Sequence, residues 1–138
     1  MKPFVPILLL SLVLGGCVRL DDRGFDNVNL RADARALKAV EIGAYTPFAW
    51  DRLYVFGHRS TRETISEEIG RSVPFPHREA ETHCLLVFVS GGGVVAAFEE
   101  PRGLVDFDNL PRKGGYSRAE SKFKGAPSGD GALLLPGS

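Results

Sequence analysis

Two histidines and two glutamates lie close together in the segment HREAETHC. His77, Glu79, Glu81 and His83 follow one another at intervals of two residues, so an extended chain would place all four on one side. Imidazole and carboxylate groups are ligands for zinc or copper. The spacing matches no recognised metal-ligand motif, however, and alternating polar residues beside prolines are equally typical of a solvated loop. We therefore favour a solvated loop and expect no metal or cofactor, with a metal site as the alternative.

A catalytic nucleophile is harder to find. Cys84 begins the apolar run CLLVFV, where a free cysteine usually behaves as a small buried hydrophobe. The segment SGGGV is not followed by the lysine of a phosphate-binding loop and is more typical of a hairpin turn. Asp106 and Asp108 are too close in sequence for us to assign separate acid and base roles. We predict no catalytic residues and expect that the protein is not an enzyme.

The segment WDRLYVFGHRS is the best candidate for a binding surface. It combines aromatic side chains, which dominate the energetics of many interfaces, with a charged turn after a predicted strand. The predicted binding residues are Trp50, Asp51, Tyr54, His58 and Arg59.

The first two of these residues have a structural alternative, which we favour. In that interpretation the indole of Trp50 lies in the core. The carboxylate of Asp51 then caps a nearby backbone group or pairs with Arg102.

Composition limits the classes of function. The chain has 138 residues, of which 17 are basic and 17 acidic, so the formal net charge is zero. A neutral chain has no overall field to attract nucleic acid, and we expect no nucleic-acid partner. The length suits one domain rather than two.

The N-terminal segment departs from this average composition. Residues 4–14 form an apolar run of 11 residues after Lys2, which is shorter than the roughly 20 residues that a membrane span needs. The run is typical of a secretory signal peptide, and the small residues Gly15 and Gly16 suit a cleavage site. We predict a signal peptide over residues 1–16.

The four residues Leu14, Gly15, Gly16 and Cys17 resemble the lipobox of bacterial lipoproteins. The resemblance implies cleavage before Cys17, a diacylglyceryl group on its thiol and an acyl group on its new amine. Because two or three acyl chains hold a protein durably at a membrane, the predicted membrane contact is the lipid on Cys17. Val18 stands where lipoproteins retained at the inner membrane have Asp, which favours the outer membrane. An ordinary secretory signal followed by a free cysteine is the alternative.

The mature chain divides into a tether and one domain. Residues 17–30 mix charge, Gly and Asn without periodicity and are predicted to be a lipidated N-terminus and tether. The segment RADARALKAVEIG has helical spacing and ends at Gly43. A second helix is predicted over residues 61–69, with Ser60 and Glu63 as a capping box and Ile65 and Ile69 sharing its buried face.

Strands are predicted around and after this helix. WDRLYVFG alternates like a strand, with Leu53 and Val55 on one face and Trp50, Tyr54 and Phe56 on the other. Two apolar runs flank Ser90–Gly93 as a central hairpin, GLVDFDNL and YSRAESKFKG are further candidates, and ALLLP is a candidate edge strand. The predicted fold class is therefore α+β, with one or two short helices packed on an antiparallel β-meander of four to five strands, as a single domain over residues 31–138.

The middle of the chain also resembles a group of small uncharacterised Gram-negative lipoproteins. The shared pattern is a Trp-Asp-x-x-Tyr-x-Phe strand followed by a capped helix that ends in Gly; a later Pro-Arg turn and Asp-Phe strand also fit. Here the pattern covers roughly residues 45–108. The order of elements is also similar to that of small lipoproteins of outer-membrane protein assembly, an analogy of fold alone. The sequence departs from the group at His58 and Arg59, where a Pro-Tyr pair is usual.

These observations favour a lipid-anchored, periplasm-facing protein of the outer membrane. We expect its domain to act as a non-catalytic binding or structural module, with another envelope protein as the partner. The alternatives are a periplasm-facing metal-handling protein and an envelope enzyme with an unrecognised site.

Overall fold

The computed structural model describes residues 23–71 and 80–137. The predicted signal peptide and Cys17 lie outside the described residues, as do His77 and Glu79. The fold class is α+β, as predicted. In chain order the elements are α1 (Asn27–Arg35), β1 (Ala39–Glu41), a 3-10 helix (Ile42–Tyr45), β2 (Arg52–Phe56), α2 (Arg62–Ile69), β3 (His83–Ser90), β4 (Gly93–Pro101), β5 (Val105–Asp106), β6 (Tyr116–Ser117), β7 (Lys122–Ser128) and β8 (Gly131–Pro136).

The strands form two four-stranded sheets rather than one meander of four to five strands. The first sheet has the order β1-β7-β8-β5, and the second has the order β4-β3-β2-β6. Neighbouring strands are antiparallel except β5 and β8, which are parallel. Strand β8 was predicted at a sheet edge, but it lies between β7 and β5. Its register with both neighbours depends on contacts between residues distant in sequence, which a local pattern does not contain.

The central hairpin is confirmed. Strands β3 and β4 are joined at Gly91 and Gly92, whose φ angles of 58° and 79° are in the left-handed region that favours glycine. Strand β3 is central, and its middle residues are buried on both faces. The prediction that both strands are central is wrong for β4, which is an edge strand with several half-buried residues.

The first helix begins and ends earlier than the sequence predicts. The carboxylate of Asp26 accepts a hydrogen bond from the Asn29 backbone N–H and caps the helix at its N-terminus. The chain leaves the helix after Arg35 and passes through Leu37 with a φ of 60°, so the predicted C-terminal half is instead β1 and the 3-10 helix. Because Phe25 and Leu30 are buried, the fold begins within the segment that was predicted to be tether.

The second helix is confirmed over almost the predicted range, with a different cap. Thr61, not Ser60, is the N-cap, and its side chain accepts a hydrogen bond from the Thr64 backbone N–H. Gly70 ends the helix with a φ of 82°. Of the two isoleucines, Ile65 is fully buried and Ile69 is half-buried.

Two separate groups of apolar side chains stabilise the second sheet. The inner core contains side chains from α1 and both sheets, Leu86 and Phe88 of β3 among them. The outer cluster lies on the other face of the second sheet, beneath α2. It consists of Phe56, Ile65, Leu85, Val87, Val89 and Ala97, with Tyr54, Ile69 and Val94 at its margin.

A buried ion pair connects α1 to β4. The guanidinium of Arg31 donates two hydrogen bonds, of 2.8 and 3.0 Å, to the carboxylate of Glu100, which is fully buried. Burial raises the pKa of Glu100, and the charge and hydrogen bonds of Arg31 offset only part of this effect.

Neither helix in the two described ranges is both long and apolar enough to cross a membrane.

Candidate functional site

The turn after β2 is shaped around the carboxylate of Asp108. A Cβ atom on Gly57 would lie 2.6 Å from Asp108 Oδ1. The carboxylate can therefore lie this close to the turn only because residue 57 is glycine. The same oxygen accepts hydrogen bonds from the His58 backbone N–H at 3.0 Å and from the imidazole Nδ1 at 2.9 Å. His58 is therefore held in place by a residue 50 positions along the chain.

Asp106 and Arg102 extend this arrangement. Arg102 Nε and Nη2 donate to the two carboxylate oxygens of Asp106 at 3.2 and 3.1 Å, and Nη2 lies 3.5 Å from Asp108 Oδ2. The Asp108 backbone N–H donates to Asp106 Oδ1 at 2.9 Å. Burial raises the pKa of Asp108, but the hydrogen bonds from His58 and the charge of Arg102 outweigh it and leave this pKa below its usual range.

Cys84 lies beneath these carboxylates. It is a free, fully buried cysteine, as predicted. Its Sγ is 3.8 Å from Oδ1 of both Asp106 and Asp108. Burial, together with the two neighbouring carboxylates, raises the pKa of the thiol to about 12. We call Cys84, Asp106, Asp108, His58 and Arg102 the carboxylate cluster.

The carboxylate cluster has a donor set that could hold a metal ion, but its carboxylates already pair with Arg102. Ligand atoms of Cys84, Asp106 and Asp108 all lie within 4.8 Å of one another. Burial keeps this thiol protonated in the metal-free protein, so a bound metal would have to displace its proton. Arg102 also supplies the positive charge that a metal would bring. The cluster therefore fits best as an ion-pair network that joins the segments following β2, β4 and β5.

Two of the four residues first considered as metal ligands have other partners. Glu81 accepts a hydrogen bond from Arg59 Nε at 3.0 Å, and His83 Nδ1 is 2.7 Å from the hydroxyl of Thr82. His77 and Glu79 lie outside the described residues.

A groove opens beside the same turn. It lies between α2, the end of β2 and the segment 111–113, and has a volume of about 380 Å³. Its lining is apolar where β2 and Pro111 contribute and polar along α2. The lining residues are Val55, Phe56, Gly57, Ser60, Thr64, Glu68, Pro111, Arg112 and Lys113.

The charged residues of the groove differ in how firmly they are held. Glu68 accepts a hydrogen bond from the Gly114 backbone N–H and so links α2 to the opposite wall. Arg112 donates to Glu120 at 2.6 Å and lies 4.8 Å from the centre of the Tyr116 ring. A backbone hydrogen bond from Ser117, with Arg112, lowers the pKa of Glu120 to about 2. Lys113 is exposed and forms no ion pair with any residue that the structure describes.

The structure places two of the predicted binding residues in structural roles. Trp50 is buried in the inner core with Leu53 and Val55, because the strand begins only at Arg52. Its indole N–H donates to the Thr46 hydroxyl at 2.7 Å. The Asp51 carboxylate accepts a hydrogen bond from the Gly91 backbone N–H at 2.9 Å and so caps the β3–β4 turn. Arg102, the alternative partner of Asp51, pairs with Asp106 and Asp108 instead.

The other three predicted residues lie near the groove. Tyr54 stacks on Phe56 with 6.4 Å between ring centres, and Phe56 forms part of the groove wall. His58 and Arg59 form the turn beside the groove, where Arg59 has a φ of 63°. Sequence reasoning missed Thr64, Glu68 and the segment 111–113, because α2 and that segment meet only through the tertiary fold. The basic turn PRKGG was the one available signal.

A second depression lies at the start of α1. It has a volume of about 560 Å³ and is lined by two segments, 24–28 and 44–47. It marks the point at which the described chain enters the domain.

No protein-family model, curated protein or solved structure was found to match this chain.

Proposed function

We propose that this protein is a lipid-anchored component of the outer membrane whose domain binds another envelope protein without catalysing a reaction. The anchor is proposed from the lipobox residues Leu14 to Cys17. The observation that carries the binding role is the groove between α2 and the segment 111–113. The binding residues we propose are those of this groove, with His58 and Arg59 at its border.

The groove suits a short polypeptide segment. A volume of about 380 Å³ is at the small end of the range for binding clefts, and it has room for one or two side chains. Phe56, Val55 and Pro111 offer apolar contact. The hydroxyl groups of Thr64 and Ser60 also line the groove and are hydrogen-bonded to Thr61 and Gly57. An apolar side chain followed by an acidic group fits this surface, since the ammonium group of Lys113 has no ion-pair partner among the described residues.

The chemistry of the carboxylate cluster supports binding rather than catalysis. Asp108 and Asp106 are engaged by His58 and Arg102, and the Cys84 thiol is buried with a raised pKa. A catalytic base or nucleophile needs access to a substrate and a pKa suited to its task. The cluster instead fixes the turn that forms one wall of the groove.

Site-specific photocrosslinking in intact cells tests the binding role. We expect crosslinkers at Thr64 and Lys113 to capture one and the same envelope protein. A crosslinker at Lys124, exposed on β7 and outside the groove, is the matched control and should capture none. Lys113→Glu should reduce the adduct from Thr64, since it reverses the charge beside the partner. Equal capture from Lys124, or none from the groove positions, would contradict the groove as the binding site.

The anchor has a separate test. Cys17→Ser should abolish acyl labelling and release the protein from membranes, and unchanged membrane association would contradict lipidation. Metal analysis of the purified protein tests the alternative function. Stoichiometric zinc that is lost in Cys84→Ser would replace the binding role with metal handling at the carboxylate cluster.

A further inference from the structure

The carboxylate of Glu68 joins the two walls of the groove. Glu68 is half-buried in the last turn of α2, and one of its oxygens accepts a hydrogen bond from the Gly114 backbone N–H, 46 positions along the chain. Because Glu68 is itself a lining residue, this contact lies within the groove. Hydrogen bonds to an ionised acceptor are stronger than those between neutral groups. The Gly114 N–H is therefore a donor that already holds a carboxylate.

The segment that carries this donor is held in place by contacts other than Glu68. Arg52 Nη1 donates to the Gly114 carbonyl oxygen at 2.8 Å. A Cβ atom on Gly115 would lie 2.5 Å from the Leu53 carbonyl oxygen, so the backbone after Gly114 packs directly against β2. The Gly114 N–H therefore keeps its position when the Glu68 side chain is withdrawn.

The charges of the segment 111–115 favour an acidic ligand. Its sequence, PRKGG, has two cations and no acidic residue. Arg112 pairs with Glu120, whereas Lys113 is exposed and forms no ion pair within the two described ranges. A carboxylate at the Gly114 N–H thus lies one residue from an ammonium group whose charge is not compensated. Such complementarity contributes to the specificity of an interface.

Glu68 can leave the groove without any change in the backbone of α2. The helix is held on the second sheet by Ile65, which is fully buried, and its N-terminus is capped by Thr61. Neither contact involves Glu68. Rotation of the long Glu68 side chain about its own bonds is therefore sufficient to free the Gly114 N–H, and rotations of this kind are fast in partly exposed residues.

We propose that Glu68 occupies, in the free protein, the position that a carboxylate of the partner takes on binding. The incoming carboxylate accepts the Gly114 N–H and pairs with Lys113, while a neighbouring apolar side chain packs on Phe56 and Pro111. Because Glu68 belongs to the same chain, its effective concentration at the donor is high. It therefore excludes acidic groups that lack the apolar side chain. This inference rests on the proposed function only in taking the groove as the binding site.

Fluorescence anisotropy with labelled peptides and the full-length protein in detergent micelles tests the exchange. The probes are Gly-Ser-Gly-Phe-Asp with an amidated end and Gly-Ser-Gly-Phe with a free carboxyl end, which distinguish a side-chain from a terminal carboxylate. The uncharged control probe is amidated Gly-Ser-Gly-Phe-Asn. Glu68→Ala should tighten binding of at least one acidic probe about tenfold. The matched control Glu67→Ala removes the same charge from an exposed position outside the groove and should change it by less than about twofold.

The amide proton of Gly114 reports the exchange directly. In the unaltered protein its NMR resonance should lie downfield, because the N–H donates to a carboxylate. Glu68→Ala should move this resonance upfield, and a saturating acidic probe should return it downfield. The resonances of the other glycines show whether the variant is folded.

Several results would overturn the exchange. Weaker binding in Glu68→Ala would make Glu68 a structural link, and an equal gain in Glu67→Ala would reduce the effect to general charge. Binding that leaves the Gly114 resonance unchanged, or no binding of either acidic probe, also overturns it. A Thr64 crosslink to an envelope protein that is unchanged in Glu68→Ala overturns the exchange but keeps the proposed function. Absence of that crosslink, with the tenfold gain present, contradicts the envelope partner and supports the carboxylate site.

Discussion

The two faces of the second sheet are buried in different ways. Leu86 and Phe88 point into the inner core, which α1 and the first sheet close on the other side. Leu85 and Val87, their neighbours on β3, point into the outer cluster, to which α2 contributes Ile65 and the half-buried Ile69. One face is thus enclosed by a sheet and a helix, and the other is covered by a helix of eight residues.

This difference between the two faces of the second sheet indicates where the molecule can accommodate a partner. A face closed by a sheet and a helix has no room for further contacts, because interiors are packed as densely as organic crystals. A short helix leaves part of the sheet uncovered, and the groove forms where α2 ends its coverage of β2. The groove therefore arises because α2 covers only part of the second sheet. No additional helix or strand is needed to form it.

Two adjacent leucines give the most direct test of this comparison. Leu85 and Leu86 are both fully buried but point to opposite faces. We expect Leu86→Ala to lower the free energy of unfolding by about 4–5 kcal/mol, because the enclosed core cannot collapse into the cavity. Leu85→Ala should cost only about 2–3 kcal/mol, because α2 can move toward the sheet. Chemical denaturation measures both values, and equal losses would contradict the comparison.

The reactivity of Cys84 tests how tightly the inner core is closed. Its pKa is raised from 9.0 to about 12, so at pH 8 the folded protein should hold about a thousandfold less thiolate than the unfolded chain. We expect labelling by a thiol reagent to slow by at least this factor in the native protein. The control is the same protein in denaturant. Labelling at the denatured rate would show that the inner core opens readily beside the carboxylate cluster.

The Arg31–Glu100 pair tests how firmly α1 closes the inner side. Arg31→Ala leaves the buried Glu100 carboxylate without its cation, and we expect a loss of about 3 kcal/mol at pH 7. The variant raises the pKa of Glu100 further, and a raised carboxyl pKa means stability that is present at low pH and lost as pH rises. The deficit relative to the unaltered protein should therefore shrink on acidification. A pH-independent deficit would show that lost packing of the arginine stem, and not charge, is the cause.

Removing the N-cap of α2, which covers the outer cluster, should cause the smallest loss of stability among these variants. Thr61→Ala removes the hydroxyl that accepts the Thr64 backbone N–H and should cost about 1 kcal/mol. Thr61→Ser is the matched control, since it keeps a hydroxyl that can accept the Thr64 backbone N–H. A loss in Thr61→Ser as large as that in Thr61→Ala would contradict Thr61 as the cap.

Local signals were sufficient for some elements. The glycines between β3 and β4 and the Ser-Thr segment before α2 carry their own turn and cap chemistry, so both elements could be predicted. Helix α1 was predicted too late in the sequence. The helical spacing of small apolar residues continues past Arg35, and the cap at Asp26 precedes the predicted start. The burial of Cys84 followed from its apolar neighbours.

The arrangement of the site depends on contacts between distant residues. His58 meets Asp108 across 50 positions, and Gly57 permits this approach. No periodicity in either segment contains that pairing. Similarly, the division into two sheets follows from which strands pair, and the short strands β1, β5 and β6 leave almost no periodic pattern.

The position of β8 has a consequence for the order in which the chain folds. Residues 131–136 pair with β7 on one side and with β5 on the other, so β8 joins the two halves of the first sheet. Until it is in place, β5 has no neighbour in that sheet, and the inner core lacks Ala132 and Leu134. Since β8 follows β1, β5 and β7 in the sequence, the first sheet cannot close during synthesis before residues 131–136 have emerged from the ribosome. A deletion within these residues should therefore be as damaging as one in the middle of the domain.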